Sequence, residues 1–354
     1  MTVSVRHVAR RARVSIGTVS NVLNRPEIVA PATLVRVQQA MDELGFTPNI
    51  TSRRVSFSSS KLLGIVLPDV SNPLFTEIAR GAEDAANQSG YSLFLCNHDH
   101  SPEKERNYIQ TLVGQNVAGI MIWPTYGKTD NLNFLRSNHI AVTLIDTNRY
   151  FDVHCSAKVD GVRGGQVAIQ HLVDLGHREI TYVYEPSINQ FVERGEGARQ
   201  AAKDLGVTLH SIEVPSPTTH GGQEGAKRFL SGKAQSSAIF CGNDLIALGF
   251  MREMIESGFR IPEDFSVIGF DDIELAPNAV VPLTSIAQDG YQLGYTATEL
   301  AIQECGSPDT HIHQHVLFQP ELVQRASTAK PAHVREKISL QDLDSIMAGR
   351  TGAT

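Results

Sequence analysis

The chain has 354 residues, of which 41% are hydrophobic and 19% charged, a composition that suits a globular protein with more than one core. Its apolar runs, such as Leu62–Leu67, are too short to span a bilayer, and the first residues lack the apolar stretch of a signal peptide. We therefore expect a cytoplasmic protein with no membrane partner.

Charge is distributed unevenly along the chain. The formal net charge is −7, but residues 1–60 hold eight Arg and no Lys against three acids, a net +5 that leaves −12 for the remainder. A basic head on an acidic body is typical of a small phosphate-binding module joined to a larger domain with another role. A solvated charged surface is the alternative interpretation.

The first 24 residues predict a helix-turn-helix, a motif in which one helix braces and the next enters the DNA major groove. Apolar residues recur at helical spacing on both sides of a break at residues 13–14. Ser4 and Ser15 stand where N-caps would open the two helices. A third helix is predicted over Pro31–Leu44, and residues 48–60, which are polar and Ser-rich, predict a linker.

Beyond the linker, short apolar strands alternate with helical stretches, which predicts parallel sheets covered by helices. The predicted strands are Leu62–Pro68, Ser92–Cys96, Gly119–Trp123, Val142–Asp146, Glu179–Tyr184, Ile212–Val214, Ala238–Cys241 and Ser266–Phe270. The helices between them are Phe75–Ser89, Lys104–Gln115, Asn131–Asn138, Gly161–Leu175, Gly195–Leu205, Gly222–Leu230 and Asp244–Ser257. The pattern restarts near residue 160, so we expect an all-α head followed by an α/β body of two lobes.

The expected domains are a helix-turn-helix head over 1–47, a linker over 48–60 and an α/β body over 61–328. Within the body, lobe 1 takes about 61–158 and 290–325, and lobe 2 takes 159–289. Residues 329–354 are expected to form a frayed polar tail, and a short oligomerisation helix over Leu340–Ala348 is the alternative. In open α/β sheets, ligands bind beyond the carboxyl ends of the strands, so the cleft between the lobes is the expected small-molecule site.

Several short motifs occur in a fixed order along the chain. They are Thr18-Val19-Ser20-Asn21-Val22-Leu23-Asn24, Leu44-Gly45-Phe46-Thr47-Pro48-Asn49, Pro68-Asp69-Val70-Ser71-Asn72-Pro73, Leu175-Gly176-His177-Arg178, Cys241-Gly242-Asn243-Asp244, Gly269-Phe270-Asp271-Asp272 and Gln319-Pro320-Glu321-Leu322. In this order and at these spacings, the set resembles the lac repressor family of bacterial transcription regulators across roughly residues 3–328. The resemblance implies a homodimer, with a tetramer as the alternative, whose heads bind a two-fold operator and whose periplasmic-binding-protein-like body binds a small effector.

The resemblance implies that the second helix reads double-stranded operator DNA. Base-reading positions fall at Ile16, Gly17 and Asn21: Ile16 offers apolar contact, and Asn21 can bond adenine or phosphate. Phosphate contacts are expected from Ser15, Thr18, Ser20 and Asn24. A core position is the alternative for Ile16.

In the family the linker forms a hinge helix on DNA, and a Leu from each chain wedges into the minor groove. The aligned residue here is Val55, which offers less surface than Leu, and Asn49 and Arg53 are further candidate DNA contacts. A flexible basic linker is the alternative interpretation. In the head, Arg13 stands where the family has a turn Gly, and His7 replaces the acid of the first capping box.

For the effector, the family's ligand positions transfer to residues at predicted strand ends or at the helix starts that follow them. They are Asp69, Phe75, Asp146, Arg194, Asn243, Asp271 and Gln288. Such a lining suits hydroxyls or a carboxylate, so a sugar, a polyol or a sugar-acid-like ligand is expected. The alternatives are a cap at Asp271, a turn at Asn243 and a surface charge at Arg194.

No cofactor and no metal are expected. His311, His313 and His315 alternate, so on a strand they would share a face, which is more often a solvated edge than a metal site; His98 and His100 form a similar weak candidate. The four Cys are widely spaced without a CxxC pair and are expected to be buried free thiols.

The expected function is therefore an effector-controlled transcription regulator, with repression as its expected mode of action. It is not expected to be an enzyme, since no nucleophile–base constellation or phosphate loop occurs in the sequence. Effector binding would shift the lobes and so change operator affinity. A carbohydrate-binding receptor without DNA-binding activity is the alternative from another class.

Overall fold

The fold is described from a computed structural model, which covers residues 4–24, 26–44, 46, 60–125, 130–137, 140–147, 153–232, 236–308 and 310–331. The chain divides into two compact units, Met1–Ser56 and Phe57–Thr354. The predicted tail helix and the hinge candidates Asn49, Arg53 and Val55 lie outside the described residues.

The first unit is a small helical domain. Its elements are α1 (Val5–Ala12), α2 (Ile16–Asn24), a 3-10 turn (Pro26–Ile28) and α3 (Pro31–Leu44). Val8, Val19 and Val37, one from each helix, are fully buried together. The helix-turn-helix and the third helix therefore form as predicted.

Both departures in the head are accommodated locally. Arg13 takes a left-handed backbone (φ 55°), which closes the turn after α1 without a glycine. The backbone N–H of Ser4 donates to Nδ1 of His7 at 3.0 Å, so the imidazole fills the place of the missing acid in the capping box.

The second unit contains two six-stranded sheets. The strands are β1 (Leu62–Leu67), β2 (Ser92–Asn97), β3 (Gly119–Ile122), β4 (Ala141–Ile145), β5 (Cys155–Val159), β6 (Glu179–Tyr184), β7 (Thr208–Glu213), β8 (Ala238–Cys241), β9 (Ser266–Asp271), β10 (Thr284–Ala287), β11 (His315–Phe318) and β12 (Glu321–Val323). The sheet orders are β11-β5-β4-β3-β1-β2 and β12-β10-β9-β8-β6-β7. All pairings are parallel except that of β12 with β10, so the two α/β lobes are confirmed.

Helices cover both sheets. They are α4 (Pro73–Gln88), α5 (Pro102–Gly114), α6 (Asp130–Ser137), α7 (Gly161–Asp174), α8 (Asn189–Leu205), α9 (Thr219–Ser231), α10 (Asp244–Glu256) and α11 (Gly290–Gly306). Asn72, Ser101 and Asp289 each accept a backbone hydrogen bond as the N-cap of the helix that follows. In the described part of the chain, no helix is long and apolar enough to cross a membrane.

The chain passes between the lobes three times: from β5 to α7, from β10 to α11, and from β11 to β12. The last crossing corrects the predicted extent of lobe 1. Residues 321–325 were assigned to that lobe, but β12 pairs with β10 in the second sheet. The side chain of Ser327 continues this attachment by donating to the carbonyl of Val267 at 2.6 Å.

Two further differences from the predicted elements concern the site. Strand β5 was not predicted because Ser156 and Lys158 interrupt its apolar pattern, although both are buried. Helix α8 begins at Asn189, six residues before the predicted start, and so carries an additional polar turn. Among the alternating histidines, His311 and His313 precede β11 and only His315 lies in it, so the three do not lie together on one strand.

Candidate functional site: a DNA-reading helix and an inter-lobe cleft

The exposed face of α2 carries the predicted DNA contacts. Ile16 is 52% exposed and Gly17, Ser20 and Asn21 are exposed, whereas Val19 is fully buried. The core alternative for Ile16 is therefore wrong, because Val19 fills the inner face of the helix. An exposed apolar side chain and an exposed amide on the same helix suit contact with base edges in the major groove.

Ser15 opens this helix, as predicted. Its Oγ accepts the backbone N–H of Thr18 at 2.9 Å and lies 2.9 Å from the Thr18 hydroxyl. Thr18 is half-buried in this cap, and Asn24 is the last residue of α2. The cap sets where the helix begins, and so it sets the position of Ile16 and Gly17.

In the second unit, Arg194 lies near the start of α8 with only 3% of its surface exposed. Its Nη1 donates to the carbonyl of Gly242, its Nη2 lies 3.3 Å from Oδ1 of Asp271, and its guanidinium carbon lies 3.6 Å from the centre of the Phe270 ring. Its buried Nε has no hydrogen-bond partner among the described residues. The surface-charge alternative for Arg194 is therefore wrong: the guanidinium is fixed inside the body.

Two buried carboxyls accompany this guanidinium, one from each lobe. Asp146 follows β4 and Asp271 ends β9, and both have a positive φ, 52° and 109°. Burial raises the pKa of Asp146 to about 6 and that of Asp271 to about 7, while Arg194 opposes both rises. Both groups therefore change charge near neutral pH.

Amides complete the lining of the cleft. The side chain of Gln190 donates to the backbone carbonyl of Asp146 at 2.8 Å, and that of Gln288 donates to Oδ1 of Asp271 at 2.6 Å. Oε1 of Gln288 is buried without a partner among the described residues. The cleft thus holds one hydrogen-bond donor, Nε of Arg194, and one acceptor, Oε1 of Gln288, that have no partner among the described residues.

Most of these groups line one narrow cavity, which has no space for a water-sized molecule as the lobes stand. Its lining consists of Asp146, Val159, Gly161, Gln190, Glu193, Arg194, Phe270 and Gln288. Both lobes contribute, and three of the predicted ligand residues are among them. A typical ligand pocket is far larger than this cavity, so a sugar-sized molecule requires the lobes to separate.

Close helix packing sets the position of Arg194. A Cβ added to Gly165 of α7 would lie 2.0 Å from the carbonyl oxygen of Arg194, and one added to Gly197 would lie 1.8 Å from the carbonyl oxygen of Val162. Because both positions are glycine, α7 and α8 touch backbone to backbone. Gly161, at the start of α7, and Arg194 are thereby held on the same side of the cleft.

Four predicted ligand residues lie outside this lining, and Asp69 and Phe75 are two of them. Oδ1 of Asp69 accepts hydrogen bonds from the backbone N–H and the hydroxyl of Ser71, at 2.9 and 2.7 Å. Phe75 is 7% exposed and packs edge-on against Trp123, with ring centres 5.0 Å apart. Their contact with a ligand stays a prediction.

For Asn243 and Asp271 the sequence left two roles open, ligand contact and local structure, and the two residues differ in the structure. Asn243 is the N-cap of α10, accepting from the N–H of Ile246 at 2.9 Å, and its amide donates to Pro217 at 3.0 Å. Its polar groups are thus already used within the second lobe. Asp271 instead faces Arg194, and the capping of Ile273 is done by Asp244 at 2.9 Å.

Sequence reasoning missed Gln190 and Glu193 of the cavity lining. They precede Arg194 by four residues and one residue, so all three lie on the first turns of α8. Glu193 forms a largely buried ion pair with Lys158 of β5. The spacing from Arg194 was the available signal, but the late predicted start of the helix concealed it.

Comparison with known proteins identifies the family. The family model described as "Bacterial regulatory proteins, lacI family" matches residues 4–49, and a periplasmic binding protein-like domain matches residues 169–328. The transcriptional repressor PurR of Haemophilus influenzae (strain PittEE) is 32% identical over 336 residues, which cover 92% of this chain and 98% of PurR. The chain belongs to the lacI family of bacterial regulatory proteins.

Other lacI-family proteins agree over the same length. The regulator RegA of Clostridium saccharobutylicum is 30% identical over 93% of this chain and 100% of its own length, and DegA of Bacillus subtilis (strain 168) is 31% identical over 93% of this chain and 99% of its own. These relatives are named as transcriptional regulators. This chain is accordingly a DNA-binding transcriptional regulator.

Solved lacI-family structures share the fold. A lac repressor dimer bound to operator and the anti-inducer ONPF is 25% identical, with a TM-score of 0.77, over 93% of this chain and 100% of that one. A regulator from Enterococcus faecium with bound ribose is 28% identical, with a TM-score of 0.70, over 77% of this chain and 100% of that one. The predicted head and two-lobed body are therefore confirmed as the fold.

Proposed function

We propose that this regulator is a repressor that binds a palindromic operator as a homodimer and is controlled by a carbohydrate-related effector in its inter-lobe cleft. Pairing of dimers into tetramers is the alternative assembly. A role without catalysis is part of this proposal, and it is supported by the relatives, which are named as transcriptional regulators or repressors.

The head supports the DNA-binding part of this proposal. Ile16 and Asn21 are exposed on one helix whose buried side is fixed to the rest of the head by Val19. The related lac repressor has been solved as a dimer on operator DNA. Ile16, Gly17 and Asn21 are proposed to read bases, with Ser15, Thr18, Ser20 and Asn24 contacting phosphates and Asn49, Arg53 and Val55 acting at the hinge.

One observation carries the effector part: a buried donor, Nε of Arg194, and a buried acceptor, Oε1 of Gln288, lack partners among the described residues at the same cavity. Unsatisfied buried polar groups are costly, so a molecule that bonds both gains free energy. A hydroxyl both donates and accepts, and a polyhydroxy compound satisfies such mixed groups best. Asp146 and Asp271 would bind further hydroxyls, while Asp69, Phe75 and Asn243 remain proposed contacts for the opened cleft.

The first experiment is a thermal-shift screen of the full chain with neutral sugars, polyols, sugar acids and sugar phosphates, since a ligand that binds the folded state raises stability by mass action. Each compound that raises the unfolding temperature is then titrated by calorimetry into wild type and Arg194→Met. We expect binding to wild type and an affinity loss of at least about tenfold in the variant. Equal affinities would refute the role of Arg194.

The pH dependence of that affinity separates neutral from acidic effectors. The hydroxyls of a neutral sugar donate hydrogen bonds to the ionised carboxylates of Asp146 and Asp271. The affinity for such a sugar should therefore rise as pH increases through about 6 to 7. A sugar acid is repelled by the same carboxylates, so its affinity should fall over that range. A flat profile for every ligand would place the binding site elsewhere.

A further inference from the structure

Four side chains that can ligate a metal converge in the first lobe, away from the effector cavity lining. They are Cys155 at the start of β5, Glu304 near the end of α11, and His311 and His313 in the segment between α11 and β11. One ligand atom from each lies within 4.8 Å of the others. Within the described ranges, this is the one group of three or more such residues with that geometry.

The distances suit a four-coordinate cation. Sγ of Cys155 lies 3.0 Å from Nε2 of His311 and 3.9 Å from Nδ1 of His313. In a tetrahedral zinc site, bonds of about 2.3 Å to sulfur and about 2.0–2.1 Å to nitrogen place a sulfur ligand about 3.6 Å from a nitrogen ligand. The two observed distances lie on either side of that value, so movements of less than about 1 Å would bring Sγ to the zinc spacing from both imidazole nitrogens.

A hydrogen-bonded cluster without a cation is the competing explanation. It accounts for the contact between Cys155 and His311, but not for Glu304. Oε2 of Glu304 is buried and has no hydrogen-bond partner among the described residues. A cation beside it would satisfy that oxygen, whereas the thiol and the two imidazoles alone leave it unbonded.

The ligands lie on, or shortly before, the three elements that connect the lobes: Cys155 in β5, Glu304 in α11, and the two histidines ahead of β11. Strand β5 leads into α7 of the second lobe, α11 follows β10 of the second lobe, and β11 leads into β12. Cys155 is at the opposite end of β5 from Val159, which lines the effector cavity. A cation bound here would cross-link these elements within the first lobe.

We propose that Cys155, Glu304, His311 and His313 form a binding site for a transition-metal dication of the zinc class. Thiolate and imidazole ligands select zinc and its later first-row neighbours over magnesium and calcium, and four protein ligands make a closed, structural site. The expectation from sequence that no metal is bound is replaced here, because Cys155 and Glu304 are brought to the histidines only by the fold.

The test uses the full, tag-free chain, reduced and stripped of metal with a chelator, then titrated with Co²⁺ as a spectroscopic substitute for Zn²⁺. Four-coordinate cobalt absorbs strongly in the visible, and a thiolate ligand adds a near-ultraviolet charge-transfer band. We expect both signals to saturate at one cobalt per chain and to disappear when Zn²⁺ is added. Zn²⁺ should also raise the unfolding temperature, and chelator should reverse that rise.

Cys155→Ser should abolish the charge-transfer band, and Glu304→Gln should weaken cobalt affinity at least about tenfold. The matched controls are Cys96→Ser, a half-buried cysteine in β2, and His315→Asn, a histidine beside the cluster; both should bind as wild type does. No visible absorption in wild type, or a charge-transfer band that survives Cys155→Ser, would overturn the proposal. The wild-type titration requires no variant, so it tests the site even if a substituted chain misfolds.

Discussion

Replacing Arg194 with Met tests the electrostatics of the cleft without changing its packing greatly. The substitution removes the hydrogen bond to Gly242 and the ion pair with Asp271, and it leaves that carboxyl buried. A lost hydrogen bond from a charged group costs about 1.5–3 kcal/mol, and breaking a buried ion pair costs about 3–5 kcal/mol. We expect the larger cost wherever Asp271 is ionised.

The pH dependence of this cost follows from the raised pKa of Asp271, about 7 in the folded protein against 3.8 as its ordinary value. A carboxyl with a raised pKa lowers the free energy of unfolding as pH rises from its ordinary pKa to its folded one. Arg194 lowers the pKa of Asp271 in the folded protein. In Arg194→Met that pKa is therefore higher, and the free energy of unfolding continues to fall up to a higher pH. The difference between the proteins should therefore be about 2 kcal/mol below about pH 6. Above about pH 7 it should grow by about 1.4 kcal/mol per pH unit, toward the cost of a broken buried ion pair.

The assay is urea unfolding followed by the fluorescence of Trp123, the chain's one tryptophan, which is buried in the first lobe and reports on the body. Free energies of unfolding are compared at about pH 5.5 and about pH 8. Asp271→Asn provides the control, since Arg194→Met in that background should show a smaller difference and a weaker pH dependence, with Asp146 as the remaining carboxyl near Arg194. A stability difference that does not change with pH, or that is unaffected by Asp271→Asn, would refute the reasoning.

Two other substitutions test the head and the helix contact. Asn21→Ala should raise the Kd for a selected operator by about tenfold or more while leaving the Kd for random DNA within about twofold, because base contacts give sequence specificity and phosphate contacts do not. Fluorescence anisotropy measures both Kd values. Equal losses on the two DNAs would show that Asn21 does not read bases. Gly165→Ala should lower the free energy of unfolding by several kcal/mol and abolish the thermal shift by effector, because its Cβ would meet the Arg194 carbonyl at 2.0 Å. Gly114→Ala is the matched control, since its Cβ meets no atom within 4 Å, and it should leave both measurements near wild type.

Most helices and strands could be predicted from local signals, because their formation depends largely on residues that are close in the sequence. The third helix of the head was placed at Pro31–Leu44, as observed, from its apolar spacing and the proline at its first position. Strand β5 was missed because Lys158 is polar, and its burial depends on the ion pair with Glu193, 35 residues away. A pattern confined to one segment cannot reveal such a partner.

The residues of the cleft could also be predicted only in part. Asp146, Arg194 and Gln288 were placed in one site by the family resemblance together with the rule for strand ends, and the structure brings them to one cavity. Asn243 sits at a strand end too, yet its amide bonds within the second lobe. The contact of Cys155 with His311 joins residues 156 positions apart, which neither spacing nor composition indicates.

The central claim is that a ligand in the cleft controls DNA binding, and one titration tests it directly. An operator enriched from random duplexes by the full chain is titrated by fluorescence anisotropy with and without the compound found in the thermal screen, at fixed salt concentration. We predict a change in operator Kd of about 5–150-fold for wild type and none for Arg194→Met. A wild-type Kd that is unchanged at saturating ligand would contradict the claim.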